Sequence, residues 1–117
     1  MKENIIQSKT FDFALRILKL YKYLQKEKYE NVLSKQLLRS GTSIGANIEE
    51  AIGGQSKSDF ISKLSVAYKE ARESSYWIKL LKSSKYITEQ ESESLLNDID
   101  EILKIIGRIQ KTIKSNS

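Results

Sequence analysis

The side chains best placed to do chemistry are Arg39, Ser43, Asn47 and Glu50, which recur at helical spacing along one side of a segment. Glu70 and Glu73 stack with Val66 and Trp77 at compatible spacing on a later one. Two roles fit them. As a structural polar network, Arg39 pairs with Glu70 or Glu73 while Ser43 and Asn47 satisfy hydrogen bonds between packed helices and fix their register. As a reaction centre, Asn47, Glu50 and Glu70 bind or hydrolyse a ligand through paired carboxylates. The chain has no histidine and no cysteine, which removes thiol nucleophiles, Ser-His-Asp triads, zinc fingers and Glu-x-x-His di-iron sites. Carboxylates without those partners favour the structural network. No catalytic, metal or cofactor residue is assigned, and no enzyme activity is expected.

The second candidate chemistry is attraction for phosphate. The 117 residues carry 20 Lys and Arg against 15 Asp and Glu, a net charge of +5, with a pI near 9.3, which is mildly basic. Arg16, Lys19, Lys22 and Lys26 form one basic stripe, and Lys104, Arg108, Lys111 and Lys114 another near the end of the chain. Cations also favour helix C-termini and solvated faces, so each stripe alone is explained without a ligand. Repetition around a ring would turn modest charge into a multivalent surface whose affinity for RNA or DNA falls steeply with salt. Tyr21, Tyr23, Tyr29, Tyr68, Tyr76 and Trp77 can stack on bases where exposed, and otherwise serve as core or interface anchors.

Helices must position all of these groups. Proline is absent, and the glycines stand at 41, 45, 53, 54 and 107, leaving long segments in which the helical period is readable. The spacing predicts four helices over about 8–27, 31–52, 57–84 and 89–114, with Asn31 as N-cap of the second, Gly53 as a left-handed C-cap after it, and Thr88 and Glu91 as a capping box before the fourth. In the first helix, Phe11, Ala14, Leu18 and Tyr21 make one apolar seam and Phe13, Ile17, Leu20 and Leu24 another, more than one face of a surface helix hides. That excess predicts a second partner for this helix. In the second, Ser40, Gly41, Ser43, Gly45 and Ala46 lower helix propensity unless a neighbouring element occupies the space they leave. The fold class predicted is all-α: a single domain, residues 1–117, in an antiparallel up-down-up-down four-helix bundle assembled as a homo-oligomeric ring. A domain-swapped helical hairpin has the same sequence pattern. No apolar run has the length of a signal peptide or a membrane span, which predicts a soluble cytoplasmic protein without a membrane partner.

The string Gln36-Leu37-Leu38-Arg39-Ser40-Gly41-Thr42-Ser43-Ile44-Gly45-Ala46-Asn47-Ile48-Glu49-Glu50-Ala51 resembles the signature of the four-helix-bundle family named after the 23S ribosomal RNA intervening-sequence protein. The resemblance continues through Ser56, Asp59-Phe60, Lys63-Leu64, Ala67, Lys69-Glu70-Ala71, Glu73 and Trp77, and back into Phe13-Ala14 and Leu20-Tyr21-Lys22. The last helix matches only in hydrophobic pattern. The resemblance implies a small bundle in a homopentameric ring. A related accessory protein of diversity-generating retroelements is a basic pentamer that binds nucleic acid and a reverse transcriptase, so an RNA or DNA ligand and a protein partner are implied as well. No catalytic residue or cofactor comes with the family motif. The function expected is a non-enzymatic homo-oligomeric helical adaptor with a basic surface for RNA or DNA; the alternative is a protein-interaction or structural scaffold without nucleic acid.

Overall fold

Local capping chemistry and buried seams produce four helices: α1 (Lys2–Lys28), α2 (Leu33–Ile52), α3 (Lys57–Ser83) and α4 (Glu89–Ser115). The computed structural model describes residues 2–116, with side chains described from Ile5 onward, and there is no strand among the described residues. α1 packs against α2 and α4, and α3 against α2 and α4, so that α1 and α3 lie on one diagonal and α2 and α4 on the other. The molecule measures 48 × 22 × 21 Å. Side chains from all four helices fill its axis, among them Phe13 and Ile17, Leu37 and Ile44, Leu64 and Ile78, and Ile99 and Ile106.

α1 starts at Lys2 rather than near Ser8. Ile6 is buried one turn before Thr10 and extends the seam that continues through Phe13, Ile17 and Leu24, and Thr10 Oγ1 donates to the Ile6 carbonyl at 2.8 Å. Burial of that seam therefore helps sustain the first turns. α2 approaches α1 at its small residues. A Cβ on Gly41 would lie 3.0 Å from both γ carbons of Ile17, and one on Gly45 would lie 3.3 Å from Thr10 Oγ1.

The start of α2 departs from the expected Asn31 cap. Asn31 is exposed, and Val32, in N-cap position, makes no side-chain cap. Glu30 caps the helix instead. Its Oε2 accepts from the amides of Val32 at 3.1 Å and Leu33 at 2.9 Å, and its Oε1 accepts from the Ser34 amide at 2.7 Å. Ser34 Oγ returns a bond to the Glu30 carbonyl at 2.8 Å. The longer carboxylate, starting one residue earlier, thus reaches three of the helix's orphan donors, where asparagine at the usual position would reach one or two.

The glycines after α2 also act differently from the left-handed cap expected. Gly53 has φ −82°, and no glycine has positive φ. Gly54 is required by crowding: a Cβ there would stand 3.2 Å from the Ala51 carbonyl oxygen and 3.3 Å from Asp59 Cβ. The left-handed residues are Tyr29 (φ 53°) and Lys85 (φ 67°), just past α1 and α3. Ser56 caps α3 by accepting from the Asp59 amide, and Thr88 and Glu91 form the reciprocal capping box at α4.

Candidate nucleic-acid interface

The small, polar middle of α2 sets up its contact with α3. Ser40 and Ser74 are fully buried, and their hydroxyls share a hydrogen bond of 2.8 Å. Each hydroxyl also reaches a carbonyl of its own helix, Ser74 that of Glu70 at 2.9 Å and Ser40 that of Leu37 at 3.5 Å, so either can be the donor between them. Outside this pair, Arg39 Nη1 donates to Glu70 at 3.2 Å and Nη2 donates to Glu73. Trp77 Nε1 donates to the same Glu73 oxygen at 2.8 Å. Arg39 and Glu73 remain partly open to solvent, so the cluster sits at the rim of the α2–α3 contact.

The other members of the sequence-derived network lie apart. Ser43 donates to the Arg39 carbonyl at 2.6 Å, and Asn47 donates to the Ser43 carbonyl at 2.8 Å, so each serves its own helix. Glu50 pairs with Lys63 at 2.8 Å. That hydrogen bond and the Glu50 charge push the Lys63 ammonium pKa above its ordinary value. Arg39 and Glu50 are eleven residues apart, roughly 16 Å along α2. Asn47, Glu50 and Glu70 therefore do not converge on one point, as a shared acid–base site requires. Among the described residues no group of acidic, histidine or cysteine side chains is arranged to hold a metal ion.

The basic stripes fall at different ends of the α1–α4 seam. Lys9 pairs with Glu101 at 3.0 Å, and Arg16 donates to Asp98 at 2.5 Å and to Ser94 Oγ at 3.0 Å. These pairs set the middle of α1 beside the acidic first half of α4. Lys19, Lys22 and Lys26 continue exposed along α1, without an ion pair among the described residues. On α4, Lys104 lies 4.0 Å from Asp100, while Arg108, Lys111 and Lys114 are exposed near its C-terminal end. Tyr76 is exposed, in edge-to-face contact with the half-buried Trp77 at a ring separation of 5.1 Å.

One feature was not assembled by the sequence, and a second was assembled only in part. The α1–α4 seam is the loosest of the four helix contacts, and two adjoining recesses open along it. Arg16, Lys19, Leu20, Tyr23, Glu91 and Leu95 line the first. The second shares Tyr23 and Glu91 and adds Lys28, Lys82, Lys85 and Tyr86 at the α3–α4 corner. Its cationic residues come from segments far apart in the chain, so no local pattern unites them. The second feature is an apolar stripe on the outward face of α1, where Phe11 is 64% exposed, Leu15 51% and Leu18 38%. Ala14 and Tyr21, grouped with Phe11 and Leu18 by the sequence pattern, are half-buried.

The model of the family described as "23S rRNA-intervening sequence protein" matches residues 2–108. The chain belongs to that family. A crystal structure from Bacteroides thetaiotaomicron, described as a protein of unknown function from the S23 ribosomal protein family, is similar to this chain at 53% identity and a TM-score of 0.93, covering 95% of this chain and 99% of its own. A comparison with curated proteins finds no match. The family match thus spans α1, α2, α3 and most of α4, the helix that the sequence string matched only in hydrophobic pattern. No described helix is long and apolar enough to cross a membrane.

Proposed function

We propose that this protein is a non-enzymatic, single-domain helical adaptor of the cytoplasm that assembles with copies of itself into a ring and engages RNA or DNA through its basic surface. The protomer in this reading is an antiparallel up-down-up-down bundle. Cross-helix pairs support that arrangement, since Gln7, early in α1, meets Glu49, late in α2, and Lys63, early in α3, meets Glu50. A ring of five follows from the family resemblance, as does a protein partner.

The observation that carries the proposal is the uncovered stripe of Phe11, Leu15 and Leu18. Covering such half-exposed side chains contributes on the order of 1 kcal/mol each, and a stripe on one helix repeats at every subunit of an assembly. The net charge of +5 repeats with it, supporting a multivalent phosphate surface. The description of the family by 23S rRNA makes RNA the first probe to try.

Light scattering at micromolar concentration tests the assembly: a pentamer scatters with about five times the 13.5 kDa of one chain, and a monomer overturns the ring. Fluorescence anisotropy with labelled RNA tests the ligand, with affinity expected to fall at least tenfold between about 50 and 200 mM salt. The same apolar stripe equally suits a partner helix, the second reading. An oligomer without saturable, salt-sensitive RNA or DNA binding would favour that scaffold role.

A further inference from the structure

Building on the nucleic-acid reading above, we propose that a single strand lies in the trough between α1 and α4, with Tyr23 and Tyr86 stacking on bases and Lys19, Lys28 and Lys85 holding phosphates. The two recesses are continuous because Tyr23 and Glu91 line both. From Arg16 to Lys28 the α1 wall runs twelve residues, about 18 Å at the helical rise. Tyr23, 42% exposed, stands where the recesses meet, and half-buried Tyr86 lines the wider end. Aromatic rings in a cationic groove are what unpaired bases use for sequence-tolerant stacking, and a paired duplex keeps those base faces inside its own stack.

Two carboxylates line the trough, Glu89 and Glu91, and Asp98 flanks it; each has a partner, although a backbone amide leaves the Glu91 charge in place. Asp98 accepts from Arg16, Glu89 pairs with Lys82 at 3.4 Å, and Glu91 accepts from the Thr88 amide at 2.9 Å in the capping box. Lys19, Lys28 and Lys85 have no ion pair among the described residues. The helix dipole accounts for a cation in the last turn of α1, where Lys28 stands. The dipole of α3 likewise favours a cation at Lys85, which stands two residues past Ser83 with φ 67°, a conformation in which glycine is preferred over residues with a side chain.

The test is anisotropy with labelled oligouridine, labelled oligothymidine and a duplex of matching length, on the full-length protein. Both single strands are expected to bind more tightly than the duplex. Tyr23→Ala is expected to weaken them by about fivefold or more while leaving the salt dependence unchanged. The double variant Lys28→Ala with Lys85→Gly is expected to lower the slope of log affinity against log salt by about 1.4, two phosphate contacts at roughly 0.7 each. Lys85→Gly alone is expected to raise the denaturation midpoint, so that weakened binding there is not a folding defect. If both trough variants bind as the parent does while Arg108→Ala with Lys111→Ala loses affinity, the trough is overturned and the nucleic-acid reading stands. Preference for the duplex also overturns the trough. Absence of salt-sensitive binding by the parent protein overturns both.

Discussion

Gly41 and Gly107 are both helical, yet their surroundings differ. At Gly41 an added Cβ meets two Ile17 carbons at 3.0 Å, and at Gly107 it meets nothing within 4 Å. Ile17 is fully buried and cannot swing away, so Gly41→Ala forces α1 and α2 apart. Overpacking of that kind costs about 1–3 kcal/mol, against roughly 1 kcal/mol gained in helix propensity. Denaturant unfolding is expected to show a net loss of about 1 kcal/mol for Gly41→Ala and a gain of about 0.5–1 kcal/mol for Gly107→Ala. A stabilised Gly41→Ala protein would mean that the helices are not held at this separation. The glycine at 41 is thus a packing residue, and its type alone already required a close neighbour, although the sequence did not identify Ile17 as that neighbour.

At the scale of the element, the α1–α2 corner depends on one ionised carboxylate. Burial to 7% exposure pulls the Glu30 pKa up, but the amides of Leu33, Ser34 and Val32 favour the charged form and together hold it below its ordinary value of 4.5. With the native value lowered, unfolding takes up protons in acid. The cap's contribution is therefore complete above the ordinary value and is lost as pH falls through the lowered native one. Glu30→Gln is expected to cost about 1 kcal/mol at neutral pH. In urea unfolding followed across pH, the gap between parent and variant should narrow as pH falls below the ordinary value of 4.5 and close once it falls below the lowered native one; a gap that persists at low pH would show that charge on Glu30 is not what secures α2. This corner also marks how far sequence reading reaches. The α4 start was legible because Thr88 and Glu91 satisfy each other within one turn, a local pattern. Asn31 misled because it is a preferred capping type at the preferred place, while the actual cap depends on a glutamate that the fold buries. The start of α1 was missed for a related reason: Ile6 extends the helix only because other helices cover it. The trough escaped entirely, since Lys28 and Lys85 become neighbours only after the chain has packed.

For the whole molecule, the inward and outward faces of α1 are energetically separable. Ile6, Phe13, Ile17 and Leu24 are buried within the protomer, whereas Phe11, Leu15 and Leu18 remain on its surface. A charge at Leu15 should change the stability of an isolated protomer by no more than about 0.5 kcal/mol, as surface substitutions usually do. In an apolar contact between copies the same charge must be stripped of water at every repeat, costing several kcal/mol unless it finds a partner. Leu15→Glu is therefore expected to convert the proposed assembly to monomers in light scattering while leaving the helical circular-dichroism spectrum unchanged. Nucleic-acid affinity should fall with it by about a hundredfold or more, because each freed protomer has only its own trough and loses the effective concentration supplied by its neighbours. A Leu15→Glu protein that retains its oligomeric mass would place the contact between copies on another face and remove the apolar stripe as the cause of assembly. One that dissociates yet binds undiminished would uncouple the ring from the ligand, leaving the trough of a single protomer to account for all of the binding.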